Sequence, residues 1–183
     1  MNRVLVALLG LVACVAPPAP EGRRVGTCGG ILTEVPLEDS PHVDDANIEW
    51  STNPPASGPH FPVWAGWQRR YIDLHRGNWL HNAEHGGVVL LHRCTDCPEV
   101  VASLIAIVRR LPQDPHCALP IRTRTVIASD PSLPAEVGAV AWGVTYTADC
   151  IDDTLATFAT DHVGRASENT CADGLPFDGV AIE

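Results

Sequence analysis

Lysine is absent from this chain: all twelve basic residues are arginine. That excludes a Schiff-base lysine and a phosphate loop that depends on a lysine amine. Basic charge as a whole is scarce, with 12 Arg against 22 Asp+Glu and a formal charge of −10. Nucleic-acid binding needs a concentrated basic surface, so no nucleic-acid partner is expected. Long apolar runs are also lacking. The longest, Val4 to Cys14, has about ten apolar residues, against the roughly 20 that span a bilayer. There is no Gly-x-Ser-x-Gly elbow, and no cysteine has an obvious histidine base, so neither type of catalytic triad stands out.

What remains is a globular composition. The 183 residues are 45% apolar and 19% charged, enough for one compact domain with a core and a short appendage. Eight His, seven Cys and five Trp are the unusual entries in the composition.

The beginning of the chain reads as an address. One arginine, then Val4 to Ala13, has the form of a secretory leader. Leu11-Val12-Ala13-Cys14 looks like a bacterial lipobox, in which Cys14 is acylated; ordinary cleavage near Ala13 or Ala16 is the alternative. The expected organisation is a signal peptide over 1–13, lipidated Cys14 with a Pro-rich tether over 14–24, and a single domain over 25–183. It implies an extracytoplasmic protein of a bacterial cell envelope, attached to the membrane by lipid, with any protein partner unknown. Export also implies an oxidising compartment, so Cys28, Cys94, Cys97, Cys117, Cys150 and Cys171 are read as three disulfides. Fifteen connectivities exist; Cys150 and Cys171 bracket an expected helix and are the favoured pair.

Residues 25–80 carry many turn formers and little periodicity, with one short strand expected at Asn47 to Ser51. Regular pattern begins at Gly87. Val88 to His92 reads as a buried strand, and Pro98 opens a helix whose apolar positions are Val101, Leu104, Ile105, Val108 and Leu111. Thr123–Ser129 and Ala139–Thr147 read as strands. Asp152 or Asp153 caps a last helix that Gly164 closes. The expected fold is α+β: a β-α-β-β-α core behind a long irregular N-terminal segment, reinforced by disulfides.

The strongest chemical signal is His81-Asn82-Ala83-Glu84-His85-Gly86-Gly87. Histidines four apart share one face of a helix, and even spacing puts them on one face of a strand. Glu84 could serve as ligand, orienting carboxylate or base. His60 follows a Ser57-Gly58-Pro59 turn and His42 lies upstream. Together His42, His60, His81, Glu84 and His85 are candidate ligands for copper or zinc, with His60, His81 and His85 expected to converge. The same letters match the inverted zincin motif, but that motif needs a long helix and Gly86-Gly87 forbids one. The plain alternative is histidines that bond to backbone. Cys94-Thr95-Asp96-Cys97-Pro98 sits between a strand and a helix, where a thioredoxin-like protein keeps its redox pair. Asp96 disfavours a thiolate and no cis-proline loop is evident, so a structural disulfide is favoured there.

Two stretches, Asn53-Pro54-Pro55-Ala56-Ser57-Gly58-Pro59-His60 and Leu80-His81-Asn82-Ala83-Glu84-His85-Gly86-Gly87-Val88-Val89, resemble the domain-of-unknown-function family 3105. The similarity extends through Ala141-Trp142-Gly143 and the last helix, over roughly residues 40–165. The chain departs mildly at Leu80 and Ala83. The resemblance implies a secreted or membrane-attached domain with no established reaction. It places His60, His81, Glu84 and His85 in the family's pattern, while the cysteines look like a subgroup's addition. The expected function is an envelope lipoprotein that binds a transition metal through its histidines. The alternatives are a metal-dependent hydrolase with Glu84 as base, a non-catalytic structural or interaction module and, less favoured, a thioredoxin-like redox protein.

Overall fold

A computed structural model describes residues 20–182; the leader, Cys14 and the first part of the tether lie outside them. The strands are β1 (Arg23–Val25), β2 (Gly30–Glu34), β3 (Arg69–Tyr71), β4 (Val88–His92), β5 (Thr125–Ser129), β6 (Val137–Ala141), β7 (Val144–Ala148) and β8 (Val180–Ala181). The helices are α1 (Arg76–Glu84), α2 (Pro98–Arg110) and α3 (Asp153–His162). All strands join one mixed sheet in the order β1-β2-β7-β6-β4-β5-β3-β8. The three strands β3, β5 and β4 are mutually parallel, and every other pairing is antiparallel. The fold is α+β.

β4 explains the two layers. It is buried along its whole length, and alternate side chains point to opposite faces. Val88 and Leu90 pack with Leu104, Val108, Leu155 and Phe158 from α2 and α3. Val89 and Leu91 pack instead with Trp79, Leu80 and Ala83 of α1, and with Trp67 from the irregular segment. The irregular coat and α1 therefore cover one face, and α2 with α3 the other.

Several expectations need correcting. The strand expected over Ala139–Thr147 is a hairpin: β6 and β7 pair around Trp142-Gly143, where Gly143 takes a positive φ of 76° that only glycine adopts freely. Residues Asn47 to Ser51 form no strand. Residues 25–80, read as almost wholly irregular, contain β2, β3 and the start of α1, and β1 begins at Arg23. These elements are short and polar, so they lack the repeat that periodicity needs.

The disulfides are Cys28–Cys150, Cys94–Cys97 and Cys117–Cys171; the favoured Cys150–Cys171 pairing is replaced. Each of these two cysteines reaches a distant segment, closing separations of 122 and 54 residues. On a chain-entropy basis, breaking either with Cys28→Ser or Cys171→Ser should cost about 4 kcal/mol in urea unfolding. Asp152 reinforces the first bridge. Its carboxylate caps α3 through Thr154 N at 2.9 Å and accepts from Thr27 N at 2.6 Å and Cys28 N at 3.2 Å. These donors hold its pKa well below the usual aspartate range, the Thr27 amide first among them. Asp152→Ala is expected to cost about 1–2 kcal/mol, measured by the same unfolding.

Candidate metal centre

α1 carries the site, and its sequence explains why it must be helped to fold. Unlike a surface helix, it has no apolar stripe, and every residue from Gly77 to Glu84 is buried. Its buried polar side chains must then find partners. The irregular coat supplies them at alternate residues. Asn78 Nδ2 donates to Val63 O at 2.9 Å, Asn82 Nδ2 donates to Ala65 O at 2.7 Å, and Ala65 N donates to Asn82 Oδ1 at 3.0 Å. His81 Nδ1 meets Phe61 O at 2.6 Å. His75 caps the helix by accepting from Gly77 N. At the far end Gly86 turns with φ 83°. Gly87 leaves room for Trp67, because a Cβ there would lie 2.5 Å from the indole. The two glycines thus stop α1 and let the chain enter β4.

Four ligand atoms gather beside this helix, from His42, His60, His81 and Glu84, all within 4.8 Å of one another. His60 arrives through a short backbone pairing with the segment at His42: Val43 N donates to His60 O at 2.9 Å, and His60 N to Pro41 O at 3.2 Å. The rings of His42 and His60 lie 5.0 Å apart, those of His42 and His81 4.7 Å, and those of His60 and His81 4.8 Å. His60, His81 and Glu84 are buried, and His42 is exposed on the outer side.

The tautomers follow from the acceptors. A carbonyl oxygen only accepts, so Nδ1 of His60, 3.0 Å from Gly58 O, carries a proton, and so does Nδ1 of His81. In the neutral rings both Nε2 atoms are then lone pairs. His60 Nε2 is 2.9 Å from Glu84 Oε2, yet it is buried with no aligned hydrogen-bond partner. A lone pair facing a carboxylate is repulsive unless a proton or another cation lies between them. Burial disfavours charging His60, but Glu84 and the Gly58 carbonyl outweigh it and raise its pKa. Burial likewise works against ionising Glu84, and the His60 contact and the Ser40 hydroxyl at 2.9 Å overcome it, so its pKa falls. For His81 burial prevails over the Phe61 bond, and with the neighbouring histidines pushes the pKa down to about 4.

His85, expected to converge with His60 and His81, is placed differently from the four atoms. Its Nε2 lies 3.1 Å from His81 Nε2 and 3.2 Å from Glu168 Oε2. Burial lowers its pKa in spite of Glu168 and Glu84. Glu168, Ser40 and Trp64, whose ring sits 4.3 Å from that of His85, were not singled out in the sequence. They reach α1 from outside the motif, and no local spacing announces them. Cys94 and Cys97 form a second group with His92, and its sulfurs are already bonded to each other.

An α+β domain with a largely buried histidine–carboxylate cluster, built between one helix and the irregular coat, is the class that fold and site define. The chain belongs to the family described as "Protein of unknown function (DUF3105)", whose pattern it matches over residues 42–173. No curated protein and no solved structure matches it. Among the described residues, no helix is long and apolar enough to cross a membrane.

Proposed function

We propose that this protein binds one copper or zinc ion through His42, His60, His81 and Glu84, on an exported domain anchored by lipidated Cys14. The observation that carries the reading is the pair of Nδ1–H···O=C bonds on His60 and His81. Metal-binding histidines use such bonds to fix the ring and aim the other nitrogen. Here that other nitrogen of His60 is buried, lacks an aligned partner and faces a carboxylate. Three imidazoles and one carboxylate suit Zn(II) or Cu(II). Ligand atoms at about 2.0–2.1 Å from one ion lie at most ~4.2 Å apart, so the cluster needs only a small contraction. Four protein ligands make a closed set, which favours binding or transfer of the ion over hydrolysis at an open position.

The export reading rests on the leader sequence and accords with three disulfides. One set of contacts favours a second reading, the non-catalytic structural module. The α1 side chains hold residues 61–65 in place with no ion required. Elemental analysis of natively purified protein, followed by titration with Zn(II) and Cu(II), separates the two. One ion per chain and a chelator-sensitive melting temperature are expected; no uptake, with unchanged melting, leaves the structural module.

A further inference from the structure

The Cys94–Cys97 pair lies on the other side of the sheet from the histidine cluster and raises a separate question. His92 ends β4 in register with Val88 and Leu90, which face α2 and α3. Its ring is buried, and Nδ1 lies 3.7 Å from Cys94 Sγ and 3.6 Å from Cys97 Sγ. Cys97 is the N-cap of the thirteen-residue α2. Beside them opens a cleft of about 270 Å³, lined among others by Arg70, Ile72, His92, Cys97 and Ser129. His92 and Ser129 end β4 and β5, and Arg70 and Ile72 flank the end of β3. The cleft therefore lies at the carboxyl ends of the three mutually parallel strands, the edge where open sheets place their ligands.

A purely structural role explains this bridge poorly. It spans a separation of 3 residues, against 122 and 54 for the other two. The entropy that a cross-link removes from the unfolded chain shrinks with the loop it closes. Both sulfurs belong to half-buried residues, and Cys97 lines the cleft while Cys94 does not line it. An arginine across the cleft and a helix N-terminus favour a thiolate here, while burial lowers the His92 pKa and leaves it a neutral hydrogen-bond donor. Asp96, which also lines the cleft, opposes them.

We infer that Cys94–Cys97 is a thiol–disulfide exchange site that oxidises a dithiol, with Cys97 as the sulfur attacked and His92 as its buried partner. One substrate thiol loses its proton to water and attacks Cys97 Sγ. The new S–S bond forms as the Cys94–Cys97 bond breaks, and the electron pair leaves on Cys94 Sγ. The Nδ1–H of neutral His92, which donates to Cys94 O at 2.8 Å, lies 3.7 Å from that sulfur and is shared with the thiolate until water protonates it. The second substrate thiolate then attacks the substrate sulfur of the mixed disulfide. Cys97 leaves as a thiolate at the N-terminus of α2 and is protonated in turn. Two electrons and two protons pass from the dithiol to the cysteine pair, and the substrate departs as a disulfide.

The test is a competition inside the full chain. Under dithiothreitol or reduced glutathione, alkylation and mass mapping should show Cys94–Cys97 opening roughly tenfold or more faster than the other two bridges. His92→Ala should slow that opening and raise the thiol pKa read from thiolate absorbance, with Cys28–Cys150 and Cys117–Cys171 unaffected. Cys94→Ser should trap a mixed disulfide at Cys97 more readily than Cys97→Ser does at Cys94. A second arm, with a reduced and unfolded protein as the dithiol, tells a polypeptide substrate from a small one. Three bridges that open at similar rates, or a trap that forms preferentially at Cys94, would overturn the inference. Loss of metal uptake would not bear on it, since the histidine cluster shares none of these residues.

Discussion

His81→Ala is expected to weaken Zn(II) or Cu(II) binding by roughly 10²–10³-fold, more than the loss of a residue that only orients a ligand. Direct titration at about pH 7–8 is the measurement, because protons compete for imidazole at lower pH. The size of the effect follows from the position of His81. It is buried, its Nδ1 is committed to Phe61 O, and its ring contacts those of both His42 and His60. Without it the remaining ligands no longer surround one point. His81→Ala also strips the Phe61 carbonyl of its donor and could disturb the coat, so a gentler variant is needed. His42→Ala is that variant, since His42 is exposed at the outer side of the cluster. It should reduce affinity about tenfold or more with little change in melting temperature. His116→Ala should leave binding unchanged, because His116 lies against Asp114, outside the four-ligand set. Unaltered binding in both His81→Ala and His42→Ala would remove the metal reading.

The parts of this molecule legible in sequence are those with a repeat. α2 announces itself by apolar spacing and by Pro98 at its start, and α3 by the Asp152 cap. β4 shows as a run of apolar residues because both its faces are covered. α1 shows no amphipathic pattern for a related reason: buried on all sides, it carries polar residues wherever the coat offers a partner. The His81 and His85 spacing was legible as chemistry without revealing whether a helix or a strand would hold it. The entry of His42 depends on a backbone pairing with His60 across 17 intervening residues of sequence without regular structure. Glu168 reaches His85 from the tail after α3. Such contacts depend on tertiary packing, and no window of sequence contains both partners. The pairings Cys28–Cys150 and Cys117–Cys171 are illegible for the same reason, whereas Cys94 and Cys97 share one window.

One more buried charge pair carries no signal in the sequence, and breaking it should cost as much stability as losing a long-range disulfide. Arg124, just before β5, has a fully buried side chain, and its Nε donates to Asp114 Oδ2 at 2.7 Å. The same guanidinium donates to His85 O at 2.8 Å, to Thr170 O at 3.3 Å and to the Asn169 side chain. It thus ties the end of α1 to the tail and to the loop after α2, close to the loop's disulfide Cys117–Cys171. Asp114→Ala leaves the guanidinium buried without its counter-ion, and breaking a buried pair in this way costs about 3–5 kcal/mol. For a domain of this size that is a fall in melting temperature of about 10 °C. Arg124→Met should cost a similar amount, since it strands a buried carboxylate and frees the His85 carbonyl. The double variant Asp114→Ala/Arg124→Met should cost clearly less than the sum, which a double-mutant cycle reads directly. The pH dependence has a definite sign. Burial works against ionising Asp114, but the Arg124 bond prevails and holds its pKa below the usual aspartate range. Its stabilising effect is therefore complete above about pH 4–5, where the unfolded chain is also ionised, and is lost as pH falls through the lower native value. In urea unfolding, the gap in stability between the parent and Asp114→Ala should be widest near neutral pH and should narrow as the solution becomes acidic. A gap that stayed constant down to pH 2 would mean that Asp114 supports the fold independently of its charge, through contacts its protonated form also makes.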